Sequence, residues 1–283
     1  MRYLLTSLAC LLLLGCESTH TTRKIIQNDS SYSLQIDYFS GYYDMDSIYT
    51  LPINSYVDIE LTQTLAGEPV EILEKGRGEW LKIRSLIDAY VGWVDGRQFN
   101  FNTESTSDSS MLKSTMSEWR DVSSGVALWL PAGSLLTPHK NGEYNLSGSV
   151  VIPCDLAQPL GEKPVSLSKS ALKFLKAPYQ WGGRTVSGID CSGLSQIVAS
   201  LNGIGIPRDA SQQVKSGVAV DWGMRCENDL AFFENKKGAI THVGILTSKD
   251  SIIHASGFVR VDPLTEDGIF NVKEDRMTHK LTC

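Results

Sequence analysis

The sequence predicts an α+β catalytic part preceded by two small all-β barrels. Short strands with tight turns fill residues 48–100, and a second, proline-broken set of short apolar runs fills residues 111–160. From residue 165 onward helical spacing comes first and strand alternation second, which is the α+β order. The expected division is a first barrel domain over 31–100, a second, diverged one over 101–160, and a catalytic domain over 161–283.

In the first barrel Glu68-Pro69-Val70-Glu71-Ile72-Leu73 alternates, Gly76-Arg77-Gly78 turns, Trp80-Leu81-Lys82-Ile83 alternates again, and Tyr90-Val91-Gly92-Trp93-Val94 closes the set. Trp80 and Trp93 are its expected core aromatics. Residues 101–110 are polar and unpatterned, the composition of a linker or exposed loop. Beyond them Pro131, Pro138 and Pro153 separate the apolar runs 125–130, 134–136 and 149–152. In the catalytic part residues 168–175 predict a helix that stops before Pro178. Cys191–Leu201 repeats Leu194, Ile197, Val198 and Leu201 at helical steps, and Gly203 and Gly205 end it. Residues 240–246, 251–254 and 258–261 change to strand period.

The first residues address the compartment. Arg2 precedes an apolar run from Leu4 to Leu14, too short to span a bilayer comfortably. Leu13-Leu14-Gly15-Cys16 resembles a bacterial lipobox, so residues 1–15 are expected to leave as a lipoprotein signal, Cys16 to carry lipid and residues 16–30 to act as a tether. The expected place is the cell envelope, anchored by that lipid to the membrane (the outer membrane or the cell surface in a Gram-negative cell). A net charge of −6 and a pI near 5.4 argue against nucleic acid as a partner. The remaining cysteines, Cys154, Cys191, Cys226 and Cys283, lack metal-ligand spacing, so no metal is expected. Whether Cys154, Cys226 and Cys283 form a disulfide stays open. A monomer is expected.

The chemistry concentrates in Pro178-Tyr179-Gln180-Trp181-Gly182-Gly183, Ile189-Asp190-Cys191-Ser192-Gly193, Thr241-His242-Val243 and Ile253-His254-Ala255. A cysteine between a Gly-rich loop and an apolar helical run lies at a helix N-terminus, where N–H groups and the helix dipole favour a thiolate. Cys191 is therefore the candidate nucleophile, and a depressed thiol pKa is expected. His242, in an apolar strand, is the candidate general base, and His254 the residue that accepts from its other ring nitrogen. His20, His139 and His279 read as solvated surface residues in the tether, a loop and the tail.

These motifs and their order resemble the NlpC-type family of bacterial cell-wall cysteine peptidases over roughly residues 165–283, which implies a papain-like catalytic fold. The succession in the first barrel resembles a bacterial SH3-like domain, and the second barrel is read as another by its position. The resemblance implies a Cys191–His242–His254 triad with no metal or organic cofactor. It places the Tyr179 hydroxyl where an oxyanion develops, with the Cys191 N–H as the other donor. Trp181 beside it is assigned to substrate, with packing as the alternative. A subset of the family carries SH3-like domains before the peptidase, and there an Asp matching Asp209 of Arg208-Asp209-Ala210-Ser211 holds the free amine of the substrate. Helix capping is the other role for Asp209, and Ser192 is a candidate helper. Tyr90 is the candidate substrate contact from the first barrel. The implied reaction is hydrolysis of the bond between γ-D-Glu and a diamino acid in murein peptides that begin with free L-Ala. The alternatives are an endopeptidase on intact peptidoglycan, an inert wall-binding lipoprotein, and an amidase or acyltransferase on the same fold.

Overall fold

A computed structural model describes residues 3–6, 31–33, 62–99, 108–155, 160 and 165–283. Cys16, the tether and His20 lie outside the described residues. No described helix is long and apolar enough to cross a membrane.

The first unit is an antiparallel meander of β1 (Pro69–Lys75), β2 (Trp80–Ser85) and β3 (Val91–Asp95), with the backbone of Ser31–Ser33 paired to β1. Val70, Leu81, Ile83 and Phe99 form its core. The expected core role of Trp80 is not observed, because strand alternation turns Leu81 and Ile83 inward and leaves Trp80 38% exposed. Trp93 is partly buried.

The middle unit is a six-stranded sheet. Its strands are β4 (Ser110–Met111), β5 (Met116–Asp121), β6 (Ala127–Pro131), β7 (Leu135–Pro138), β8 (Tyr144–Leu146) and β9 (Ser149–Pro153), in the spatial order β4-β7-β8-β9-β5-β6. Trp119 is fully buried at its centre, edge-on to Tyr144 at 5.4 Å, and its indole N–H donates to Ser117. Leu65 and Ala66, which precede the first unit, pack into the catalytic and middle cores respectively. Gly67 makes that passage possible: its φ is +80°, and a Cβ there would meet the Leu135 carbonyl oxygen at 2.0 Å.

The catalytic part opens with α1 (Leu167–Leu172), capped by Ser166, and a short β10 (Arg184–Thr185) and β11 (Gly188–Ile189) ribbon. It continues with α2 (Cys191–Leu201), α3 (Ala210–Gln213) and β12 (Val218–Asp221). Six antiparallel strands complete it: β13 (Leu230–Glu234), β14 (Ile240–Ser248), β15 (Ser251–Ser256), β16 (Phe258–Thr265), β17 (Gly268–Asn271) and β18 (Arg276–Leu281). β18 also pairs with β13, matching Phe233 with Leu281, so the six strands close on themselves. The backbone of Tyr3–Thr6, inside the segment expected to leave with the signal, pairs with β12 in the full chain. Leu194, Ile197, Val198 and Leu201 of α2 pack with Val243, Ile245, Ile253 and Val259 of the sheet. Among α2 residues only Ser200 escapes burial, so the helix is held from all sides.

Polar contacts fix the earlier units against the catalytic part. Arg184 donates from both Nη atoms to the Glu68 carboxylate at 2.8 Å, and both side chains are buried. Arg208 Nε donates to Thr62, Gln196 on α2 donates to Asp88 at 2.7 Å, and Lys113 donates to the Leu201 carbonyl. A buried ion pair adds little net stability, because desolvation offsets the attraction, but it is strongly selective for one arrangement.

Candidate active site

Cys191 is the first residue of α2. Asp190 caps the helix, accepting from the Gly193 N–H at 2.6 Å, and also accepts from the Gly182 N–H at 2.8 Å. The same carboxylate forms a bidentate pair with Arg208, at 3.0 and 2.7 Å. Gly193 is required in this turn: a Cβ would meet the Gly183 carbonyl oxygen at 2.2 Å. The Gly-rich loop is thus packed directly under the head of α2, which explains its composition.

The Cys191 sulfur lies 4.0 Å from the Thr241 carbonyl oxygen and receives the Val243 N–H, so it meets the backbone on both sides of His242. The pairing of β13 and β14 shifts register opposite Phe233 and Glu234, giving β14 an extra residue at this point. Such bulges re-aim a side chain. The His242 ring bonds through Nε2 to His254 Nδ1 at 2.9 Å, and His254 Nε2 bonds to Asp262 at 2.9 Å. Arg260 Nε donates to the same Asp262 oxygen at 2.7 Å. Gly244 leaves room for this chain, since a Cβ there would meet His254 Cβ at 3.0 Å.

The protonation pattern follows from the acceptors. Burial works against the Asp262 carboxylate, but the His254 and Arg260 hydrogen bonds outweigh it and hold the group below the usual carboxylate range. Ionised Asp262 accepts only, so His254 carries its proton on Nε2. Burial, against the pull of Asp262, keeps His254 neutral, and its bare Nδ1 accepts the His242 Nε2–H. His242 is lowered well below 6.5, by burial first and by His279 and His254 next. Its Nδ1 is then the basic nitrogen.

The expected depressed thiol pKa is not observed. Burial and then the Asp190 carboxylate push the Cys191 thiol up to about 11, against the Val243 and Ser192 N–H groups and the Arg208 charge. Burial thus favours the uncharged form of both the Cys191 thiol and the His242 imidazole. Tyr179 is half-buried, and burial followed by the charges of Cys191 and Asp190 pushes its hydroxyl up to about 12. It remains a hydrogen-bond donor near Cys191.

The other expected site residues divide. Trp181 stands 66% exposed beside the loop, open to a ligand. Asp209 is the N-cap residue of α3, where its carbonyl oxygen accepts from the Gln212 and Gln213 N–H groups while its side chain makes no capping bond. The Ser192 hydroxyl is buried, donates to Asp190 and accepts from Arg208, which commits it to that pair. Tyr90 immediately precedes β3. Its N–H donates to Asp88, the residue that bonds α2 through Gln196, so the first unit reaches the catalytic helix at this loop.

Two parts of the site were not anticipated. Arg260 and Asp262 stand at alternate positions of one strand, a polar pair that could have signalled them. His279, expected in solvent, is partly buried against His242 with ring centroids 4.1 Å apart. His242, His254 and His279 offer nitrogens within 4.8 Å of one another. A metal does not fit them well: imidazole lone pairs lie in the ring plane, and the stacked rings, 23° apart, do not aim theirs at one point. Cys154, Cys191, Cys226 and Cys283 are all free thiols.

The chain is similar to known proteins. Residues 176–276 match the NlpC/P60 family, and residues 61–99 match the bacterial dipeptidyl-peptidase Sh3 domain. The chain is 29% identical over 248 residues to a gamma-D-glutamyl-L-lysine dipeptidyl-peptidase of Bacillus cereus, covering 73% of this chain and 71% of that one. It is also 29% identical over 214 residues to the enzyme of the same name from Bacillus subtilis, covering 69% and 71%. The crystal structure of an NlpC/P60 family protein from Bacillus cereus shares the fold, with a TM-score of 0.65 at 24% identity over 78% of this chain and 82% of that one. The catalytic part of the chain thus resembles the NlpC/P60 family, and the first unit ahead of it resembles a bacterial dipeptidyl-peptidase Sh3 domain.

Proposed function

We propose that this peptidase hydrolyses the γ-D-Glu–diamino acid bond of murein peptides whose L-Ala amine is free, in the turnover of wall fragments. The observation that carries the reading is the unbroken His242–His254–Asp262 chain beside the head of the Cys191 helix, with the Asp88–Tyr90 loop of the first unit bonded to that helix. The thiol attacks the γ-carbonyl while His242 Nδ1 takes its proton. The oxyanion is received by the Tyr179 hydroxyl and the N–H groups at the helix head. His242 then protonates the leaving diamino-acid amine, and water hydrolyses the thioester. No metal or organic cofactor takes part.

Specificity for a free amine is assigned to Asp209, with Tyr90 limiting longer N-terminal extensions. A buried ammonium ion needs a counter-charge, and Asp209 offers a carboxylate at the head of α3. The names of the two Bacillus relatives support the same bond. Asp209→Asn is expected to lower kcat/KM for the free-amine tripeptide about a hundredfold, roughly 3 kcal/mol, and to leave the N-acetylated peptide little changed. Mass spectrometry of both peptides with both enzymes checks this. Equal losses on the two substrates, or ready cleavage of intact murein, would favour the wall-remodelling alternative.

The middle unit is proposed as a second, diverged SH3-like domain, on its small six-stranded sheet and its place between the two matched domains. The protein is proposed to be a lipoprotein held in the envelope through Cys16. Cys16→Ser should then release it from membranes or block processing, read by fractionation and the mass of the mature N-terminus. A mature N-terminus elsewhere, without lipid mass, would overturn the anchor.

A further inference from the structure

His279 belongs to none of the expected catalytic roles, yet the fold delivers it to the general base. It lies on β18, the strand that closes onto β13, and its backbone is pressed against Gly268, where a Cβ would meet the His279 carbonyl oxygen at 1.8 Å. Its Nδ1 is bonded to the Thr278 hydroxyl at 2.9 Å. Phe233 flanks both rings, 5.7 Å from His242 and 6.0 Å from His279. The His279 ring thus has a fixed place, stacked on His242 at 4.1 Å and edge-on to His254 at 5.6 Å.

We infer that His279 is a positioning residue for catalysis: its ring holds the His242 imidazole in the orientation that keeps Nε2 on His254, and shields one face from water. The inference rests on the reading of Cys191 and His242 as nucleophile and base. Among the described residues, the side-chain hydrogen bond given for His242 is the one to His254. A flat neighbour on its face removes the remaining freedom. Any flat aromatic of similar size should therefore serve, whereas a small or flexible side chain should not.

The test compares full-length wild type with His279→Ala, His279→Gln and His279→Phe. It uses kcat and KM on the L-Ala-γ-D-Glu-diamino acid tripeptide, and separately the rate of iodoacetamide alkylation at Cys191. Loss of the stack is expected to lower kcat about tenfold or more in the Ala and Gln variants with KM within about twofold, since small misplacements at a reacting centre are costly. His279→Phe should recover to within about threefold of wild type, and alkylation should fall and recover in the same order. If the Ala variant does not fold, the Gln and Phe variants carry the comparison. A wild-type kcat in both His279→Ala and His279→Gln, or a Phe variant as slow as Gln, would overturn the inference. Failure of wild type to cleave the tripeptide would instead remove the substrate assignment, and the alkylation series would still decide the role of His279.

Discussion

Cys191→Ala is expected to abolish hydrolysis while leaving the fold in place, with residual turnover below about one part in a thousand, as the loss of a covalent nucleophile dictates. Cys191 is 7% exposed and lies at the helix head, so loss of its sulfur opens a space of about one atom without disturbing Asp190, the cap of α2. The same variant serves as the blank for a titration. Because the thiol is pushed up to about 11, the ultraviolet thiolate signal of wild type minus Cys191→Ala should be absent at neutral pH and rise only as pH approaches that value. The sign is fixed by the cause: burial disfavours the charged form, and the charged form of a thiol is the deprotonated one. A thiolate already complete at pH 7 would show that Cys191 and His242 rest as an ion pair. Turnover that survives the substitution would show that another nucleophile is at work.

Asp190→Ala is expected to give the largest loss of stability at the site. Asp190 is the N-cap of α2, a role worth about 1 kcal/mol. It is also the carboxylate partner of the buried Arg208 guanidinium, and removing one member of such a pair leaves an uncompensated charge at a cost of about 3–5 kcal/mol. The Gly182 N–H loses its acceptor in the same step. The urea midpoint should fall sharply at unchanged slope, and the double variant Asp190→Ala, Arg208→Leu should recover part of the loss, because the stranded cation is gone. A single variant within about 0.5 kcal/mol of wild type would mean that water or Thr62 and Ser192 satisfy Arg208 without Asp190. Activity should fall too, since the cap and the loop beneath Cys191 share this carboxylate.

The parts of the site legible in the sequence are those made by short-range physics. Asp190, Cys191 and the apolar steps through Leu201 define a capped helix from adjacent residues, and the helix is found over those same residues. His242 and His254 fall on neighbouring strands, β14 and β15, joined by a short connection, so one hairpin brings them together. Other features required the fold. Trp80 and Leu81 exchange inside for outside with a single step of strand register, which composition does not reveal. Asp262 reaches His254 only because β15 and β16 pair as they do, and His279 reaches His242 only because the last strand closes on β13. The Cys191 pKa was misjudged for the same kind of reason. A helix N-terminus is visible in sequence and favours the thiolate, but desolvation depends on what packs over the sulfur, and here β14 does. The sequence by itself picked out Cys191, His242 and His254 as candidates, because motifs are local; only the tertiary structure brought Asp262 and His279 to them and buried them, because burial and strand pairing are set by distant segments.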